Sequence, residues 1–404
     1  MARLLIIADY NPFSKRTYRK QHNLISPWLP RTFHRLTRRR RIGNTYIGSI
    51  QNTEEQTFIR DGESFVQSKL VVNPGFYKLV DELLVNAHDH VVRLRTRNSE
   101  NPVKKITIAY DKHHFYIEND GEPIDVVQHP EHKVWVPQMI FAELLTSTNY
   151  DAEEKKLVGG KNGYGVKLVN IFAKQMEVMI TDAPRKLSYD QTYSLNMTKI
   201  GEPKVKATKT SKSSVAIRWE PDFARFGMTE ITHDMMKLIE RRVWDLAMTV
   251  GKDIKVVLNG ETLKCRSLVD YAKSYGIPDV VYESPNDRWH IAIGQSKEGA
   301  FNMSFVNGIW TSKGGTHVDA VVNQVTTHLV EYLETKKKTK VKPSLVKDQL
   351  AVFLVSLIEN PSFTSQTKET LTTKVSAFGS SPKLSEDTLK KIVSKLAIVE
   401  TLLE

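Results

Sequence analysis

Apolar residues along this chain change their period several times, and each change marks an element. Between Asn73 and Arg93 the residues Phe76, Leu79, Val80, Leu83, Leu84, Ala87 and Val91 recur at helical spacing and would face a core. Asn73 can cap this helix, and Pro74 suits its first turn. Glu82, Asn86, Asp89 and Arg93 fall on the other side in steps of four, three and four, so Glu82 and Asn86 project one turn apart. The period then shortens to two. Val103 to Ala109 and His113 to Glu118 read as strands around Asp111-Lys112. Further on, Asp253 to Leu258 reads as a strand followed by an Asn259-Gly260 turn, and Ile291 to Ile293 and Phe301 to Val306 read as further strands. Val318 to Leu333 returns to helical spacing, with Val321, Val325, Leu329 and Leu333 every fourth residue.

Length adds that 404 residues are enough for two or three domains. The single cysteine, Cys265, excludes an internal disulfide framework and suits a reducing compartment. No apolar run approaches the roughly 18 residues of a membrane span, so no membrane partner is expected. The net charge of +12 is unevenly placed. Residues 1–50 hold eleven Lys and Arg, among them Arg38 to Arg41, against the single acid Asp9. Three readings of this basic arm compete: a DNA-contacting arm, a nuclear-import signal or a solvated tail.

Chemistry concentrates in three places. The polar side of the first helix offers a carboxylate, Glu82, that can orient a water, and an amide oxygen, Asn86, that can bind Mg2+. The competing reading is the solvated face of an amphipathic helix. The second strand after that helix ends in Asn119-Asp120-Gly121-Glu122-Pro123-Ile124. A carboxamide or carboxylate at a glycine turn can read an adenine edge, although an ordinary turn is the simpler reading of this segment alone. Val158 to Lys167 packs four glycines and two lysines into ten residues and then enters an apolar helical pattern. Glycines allow close backbone approach and a helix N-terminus favours anions, which describes a phosphate cradle. Leu168 follows Lys167 where a P-loop has Ser or Thr, so the cradle belongs to another ATP-binding architecture.

A helix with Glu and Asn, a strand ending Asn-x-Gly and a Gly-rich lid, in this order, resemble the GHKL ATPase superfamily. Longer stretches resemble the ATPase region of eukaryotic-type (type IIA) DNA topoisomerases: Asp81 to Ala87, Leu144 to Asp151, Gly159 to Gly165, Ser304 to Gly308, Thr311 to Asp319, Leu357 to Pro361 and Ser365 to Glu369. The resemblance runs from about Thr45 to the C-terminus. It implies an α+β chain: a basic arm over 1–44, a GHKL (Bergerat) ATP-binding sandwich over 45–251, and a transducer domain of the ribosomal-protein S5-like type over 252–404.

The resemblance also implies roles, position by position. Glu82 is similar to the general base, and Asn86 to the Mg2+ ligand. Asn119 is similar to the adenine-recognising residue, with Ile124 lining the base pocket. Ser147, Thr148 and Asn149 are similar to residues that bind ribose and phosphates. Lys161, Asn162, Gly163, Tyr164, Gly165, Val166 and Lys167 resemble the phosphate-binding lid. Gln366 and Lys368 resemble a loop of the second domain that senses the terminal phosphate, where a lysine offsets charge developing in phosphoryl transfer. The implied cofactors are ATP and Mg2+. The implied partners are duplex DNA and a second copy of the chain, joined in an ATP-dependent gate, and the implied location is the nucleus or a viral replication site. Lys336, Lys337, Lys338, Lys340 and Lys342 resemble a lysine-rich loop facing the passing duplex; the alternative is a solvated helix end whose cations complement the dipole.

The chain departs from the family at three points. Lys15 to Lys20 resembles a partner-wrapping segment, but Ser26 to Arg41, with Pro27 and Pro30, does not follow the family's helix. Pro123 stands where glycine is usual; it fixes φ and removes an N–H, which would lower nucleotide affinity or reshape the turn. His90 stands where asparagine is more usual, as a solvated helix residue or a pH-sensitive neighbour of the metal site. The match ends at Ile398 to Glu400, where a transducer would end, without the family's DNA-cleaving region. The chain is therefore expected to hydrolyse ATP and clamp without cutting DNA, as a fragment or as a subunit beside a separate cleavage region. Another GHKL repair or chaperone clamp, or a degenerate non-hydrolysing DNA clamp, are the alternatives.

Overall fold

The computed structural model describes residues 47–142, 157, 165–265, 267–365 and 367–404. It opens with a hairpin, β1 (Thr53–Asp61) and β2 (Ser64–Val72), paired from Thr53–Val72 to Asp61–Ser64. The helix α1 (Pro74–Thr96) follows at once. Its start is where the sequence places it: the Asn73 side chain accepts from Phe76 N at 3.0 Å, and Pro74 needs no N–H in the first turn. The Asn73 amide also donates to Ile50 O, Asn52 Oδ1 and Phe226 O, and Gly75 N donates to Ser49 O at 2.7 Å. The strap 47–52 is thereby tied to the N-terminus of α1.

The large sheet is built from β3 (Lys105–Tyr110), β4 (Phe115–Asp120), β5 (Ala173–Asp182), β6 (Leu187–Ser194), β7 (Lys199–Ile200), β8 (Lys204–Ala207), β9 (Ser214–Pro221), β10 (Lys255–Leu258) and β11 (Glu261–Thr262). Its order is β11-β10-β3-β4-β9-β5-β6-β7, with β8 also on β6. The helices α2 (Val136–Ala142) and α3 (Gly165–Ile171) precede β5, and α4 (His233–Val250) follows β9. Both α3 and α4 pack against α1. The apolar side of α1, from Phe76 through Val91, shares one core with Ile106, Ile108, Phe115 and Ile117 of the sheet.

One element lies elsewhere than the sequence reading has it. The strand at Lys255 to Leu258, read as opening the second unit at residue 252, pairs in parallel with β3 on the large sheet, from Lys255–Lys105 to Leu258–Ile108. Periodicity shows that a strand exists but not which sheet has a vacant edge. We propose that the seam between the two units falls after β11.

The second unit carries α5 (Leu268–Ser274), β12 (Val280–Asn286), β13 (Trp289–Gln295), β14 (Phe301–Val306), β15 (Ile309–Trp310), α6 (Thr316–Lys336), α7 (Pro343–Asp348), β16 (Leu350–Ser356), α8 (Glu386–Lys395) and α9 (Ile398–Leu403). Its five strands run β12-β13-β16-β14-β15. β14 and β16 are parallel, so a crossover must join them, and α6 is in it. Val321, Val325, Leu329 and Leu333 of α6 are buried against one face of this sheet. The other face meets Tyr271, Tyr275, Phe65 and Met248, which join it to α5, the hairpin tip and the end of α4. β16 is buried at every residue because it is covered on both faces.

Candidate nucleotide site

The polar side of α1 is not solvated. Glu82 is 3% exposed and Asn86 1%, and Asp89 and His90 are buried as well. A 23-residue helix buried all round must satisfy its polar side chains inside the molecule. Lys78, also buried, supplies one partner: its ammonium lies 3.1 Å from Glu82 Oε1 and 3.7 Å from Asp81 Oδ2. Asn86 has none. Neither its amide nitrogen nor its carbonyl oxygen finds a hydrogen-bond partner among the described residues. An orphaned buried amide is costly in a finished structure and reasonable where a ligand completes it.

His90 overturns one expectation. It is not a solvated helix residue but fully buried. Its Nδ1 lies 2.6 Å from Arg93 Nη2. Burial, with the cations of Arg93 and Arg97, holds its imidazole well below the ordinary value, so it is neutral. Periodicity could not reveal this, because α1 is packed on its polar side by α3 and α4 as well as on its apolar side by the sheet.

Asn119 sits near the end of β4, buried on the same face as Phe115 and Ile117. Its amide donates to Asp120 O. Asp120 Oδ1 in turn accepts from Lys104 N and Lys105 N, which fixes the entry to β3. The turn that follows needs its glycine: Gly121 has φ +99°, and a Cβ there would meet Val103 at 3.0 Å and Leu94 at 3.2 Å. That contact places the end of β4 beside the last turns of α1. Pro123 and Ile124 continue it, both buried.

Gly165, Val166 and Lys167 form the first turn of α3 and are buried, Lys167 completely. Ser147, Thr148, Asn149, Lys161, Asn162, Gly163, Tyr164 and Gln366 lie outside the described residues, as does the arm over 1–44. Lys368 is described. It is buried, has φ +63°, and closes a turn in which its N–H donates to Ser365 O. The neighbouring Thr367 approaches Gly48 of the strap on α1, where a Cβ would meet its methyl group at 3.5 Å. The loop of the second unit thus reaches the N-terminal end of the helix that carries Glu82.

The sequence reading missed a second link between the units. Arg242 of α4 donates through Nε to Asp81 at 2.7 Å and through Nη2 to Gly308 O at 2.7 Å, in the β14–β15 turn. Burial lowers the Arg242 pKa most, but Asp81, Tyr77 and Asp245 together outweigh it and raise the value above the ordinary one. Gly308, φ +73°, lies directly against the His88 ring, leaving no room for a Cβ. Nearby, Arg241 pairs with Asp245 at 2.8 Å and stacks over Trp310. The adjacent Arg241 and Arg242 in the middle of an amphipathic helical pattern were the available signal.

The five lysines at the end of α6 are all exposed, and Lys338 adopts φ +58° just beyond the helix.

Comparisons with known proteins agree with this architecture. The family model described as DNA gyrase B matches residues 264–404. The DNA topoisomerase 2 of Arabidopsis thaliana is 40% identical over 373 residues, covering 89% of this chain and 25% of that protein. The chain spans about a quarter of the length of the curated relatives it matches. The crystal structure of the ATPase region of Saccharomyces cerevisiae topoisomerase II superposes with a TM-score of 0.82 at 36% identity, covering 94% of this chain and 97% of that one. The ATPase and transducer domains of DNA topoisomerase II from Balamuthia mandrillaris give 0.83 at 35% identity, with 94% and 96% covered. With a solved relative matched almost end to end above 30% identity, this chain belongs to the family of ATPase regions, GHKL domain plus transducer, of eukaryotic DNA topoisomerase II.

Proposed function

We propose that the chain binds and hydrolyses ATP as the N-terminal gate of a type II DNA topoisomerase, closing with a second copy around a duplex. The observation that carries this is the buried polar side of α1, where Glu82 is held by a lysine and Asn86 finds no hydrogen-bond partner among the described residues. An ordinary structural helix has no reason to bury both.

In this reading Glu82 orients the attacking water and takes its proton. Asn119 and Ile124 hold the base, and Ser147, Thr148 and Asn149 hold the ribose and phosphates. Lys161 to Lys167 cover the phosphates, the role their glycines and lysines suit. Lys368, with Gln366, meets the terminal phosphate and offsets charge that develops there. Among the described residues no cluster of three His, Cys, Asp or Glu side chains could hold a metal unaided. Mg2+ would instead be held by Asn86 together with the phosphates, the arrangement this ion favours, and would neutralise phosphate charge. The exposed lysines 336, 337, 338, 340 and 342 meet the captured duplex through its phosphates. DNA as substrate would place the action in the nucleus or at a viral replication site. Among the described residues no helix is long and apolar enough to cross a membrane.

The test is Mg2+-dependent ATP hydrolysis by the purified chain against protein concentration, with and without duplex DNA. Turnover should rise more steeply than concentration and vanish in Glu82→Ala. Turnover no greater than that of Glu82→Ala would reject the hydrolase and leave the non-hydrolysing clamp, for which buried Pro123, lacking an N–H in the adenine turn, is the structural motive.

A further inference from the structure

The functional reading above gives Lys78 no step in the reaction, yet its ammonium lies against the proposed base. It lies one helical turn before Glu82, on a helix packed on every side, and is only 8% exposed. A buried lysine needs a partner, and Lys78 holds two carboxylates: Glu82 Oε1 at 3.1 Å and Asp81 Oδ2 at 3.7 Å. The other oxygen of Asp81 takes the Arg242 guanidinium, which also donates to Gly308 O in the second unit. The chain of contacts runs from the carboxylate at the reaction centre through two cations to the β14–β15 turn.

We propose that Lys78 is the positioning residue for Glu82: its ammonium fixes one carboxylate oxygen, keeps the carboxyl ionised as a base, and anchors it to the Asp81–Arg242–Gly308 link with the transducer. The inference rests on Glu82 being the base. Lys78 touches neither nucleotide nor water in this scheme and acts only through Glu82. A cation at about 3 Å favours the charged carboxylate, so removing it must raise the Glu82 pKa. Other charges surround the same helix. On α1 itself these are Asp81, His88, Asp89 and Arg93, with the phenol of Tyr77. From α4 come Arg241, Arg242 and Asp245; from α3 Lys167; and from the second unit's loop Lys368. All of them stay in place when Lys78 alone is changed, so a displaced titration reads the ammonium.

The experiment is kcat for ATP hydrolysis against pH for the wild-type chain, Lys78→Met, Lys78→Gln and Lys78→Arg. Binding of a non-hydrolysable ATP analogue is measured alongside, with Glu82→Gln as the zero. Lys78→Met and Lys78→Gln should lose about tenfold to a hundredfold in kcat, the scale expected of a displaced catalytic group. The acid limb of the profile should move to higher pH, with analogue affinity within about twofold of wild type. Lys78→Arg, which keeps the cation, should restore the limb. An acid limb that stays in place in both neutral variants overturns the proposal, as does a rate loss explained wholly by lost analogue binding. Failure of both neutral variants to fold would assign the ion pair to stability and overturn it equally. If instead Glu82→Gln turns over ATP as fast as the wild type, it is the hydrolytic reading that fails.

Discussion

At the scale of single residues, burial decides chemistry that residue type leaves open. Glu82 and Asn86 are commonplace on a helix surface, and their burial sets them apart from the solvated face that the sequence also allowed. Histidines show the same effect with a measurable sign. His317 is fully buried at the start of α6, its Nε2 3.1 Å from the Thr311 hydroxyl, and burial brings its pKa down to about 3. The unfolded chain keeps the ordinary value and so binds more protons between the two. Stability contributed by the neutral ring is therefore complete above about pH 6.5 and is lost progressively as pH falls toward 3. His90 works in the same direction. The urea midpoint should fall from pH 7.5 to pH 5, with up to about 1.4 kcal/mol lost per pH unit for each such histidine. His317→Gln should show a shallower fall than wild type; an equal slope in the two would contradict the assignment. None of this was legible in sequence, since His90 and His317 look like any helix histidines until their neighbours are known.

At the scale of elements, α1 and α6 were legible because a helix with an unbroken apolar stripe has few other ways to fold. The Asn73 cap and Pro74 fixed the start of α1 from sequence, and the structure places the start there. Strand β10 was legible as a strand and not as a member of its sheet, because pairing depends on which edge is open. The β14–β15 turn is the element that joins the units, and it invites a controlled substitution. Gly308→Ala combines a left-handed φ with a Cβ driven into the His88 ring, whereas Gly299→Ala has φ +94° and nothing within 4 Å. Backbone strain alone should cost about 1–3 kcal/mol at either site. Overpacking should add about 1–3 kcal/mol at Gly308 only. Chemical denaturation of the two variants gives the difference, and equal losses would mean that the turn is not held tightly against α1.

At the scale of the molecule, the two units meet through buried charge as well as apolar packing. Gly308 reaches α1 through Arg242 and Asp81, and Thr367 reaches the strap tied to its N-terminus at Gly48. In the proposed gate, these contacts are the route by which motion of the second unit would be transmitted to the helix that carries Glu82. The exposed lysines at the end of α6 belong to the same scale, because the partner proposed for them is a duplex. Neutralising Lys336, Lys337, Lys338, Lys340 and Lys342 to Gln should abolish stimulation of ATP turnover by DNA and flatten its salt dependence, while DNA-free turnover stays the same. Stimulation that survives with its salt dependence intact would return these side chains to the role of dipole-complementing helix ends.

The sequence by itself determined the local elements, the order of the polar motifs and, through long stretches such as Gly159 to Gly165 and Thr311 to Asp319, the family. Those properties are carried by neighbours along the chain: cap, period and motif spacing. Tertiary structure alone decided that the polar side of α1 is inside, that His90 is neutral, that β10 joins the large sheet, and that Arg242 ties Glu82's helix to the second unit. Each of these depends on residues far apart in sequence coming together, and burial and ion pairing are properties of that assembly rather than of any segment in it.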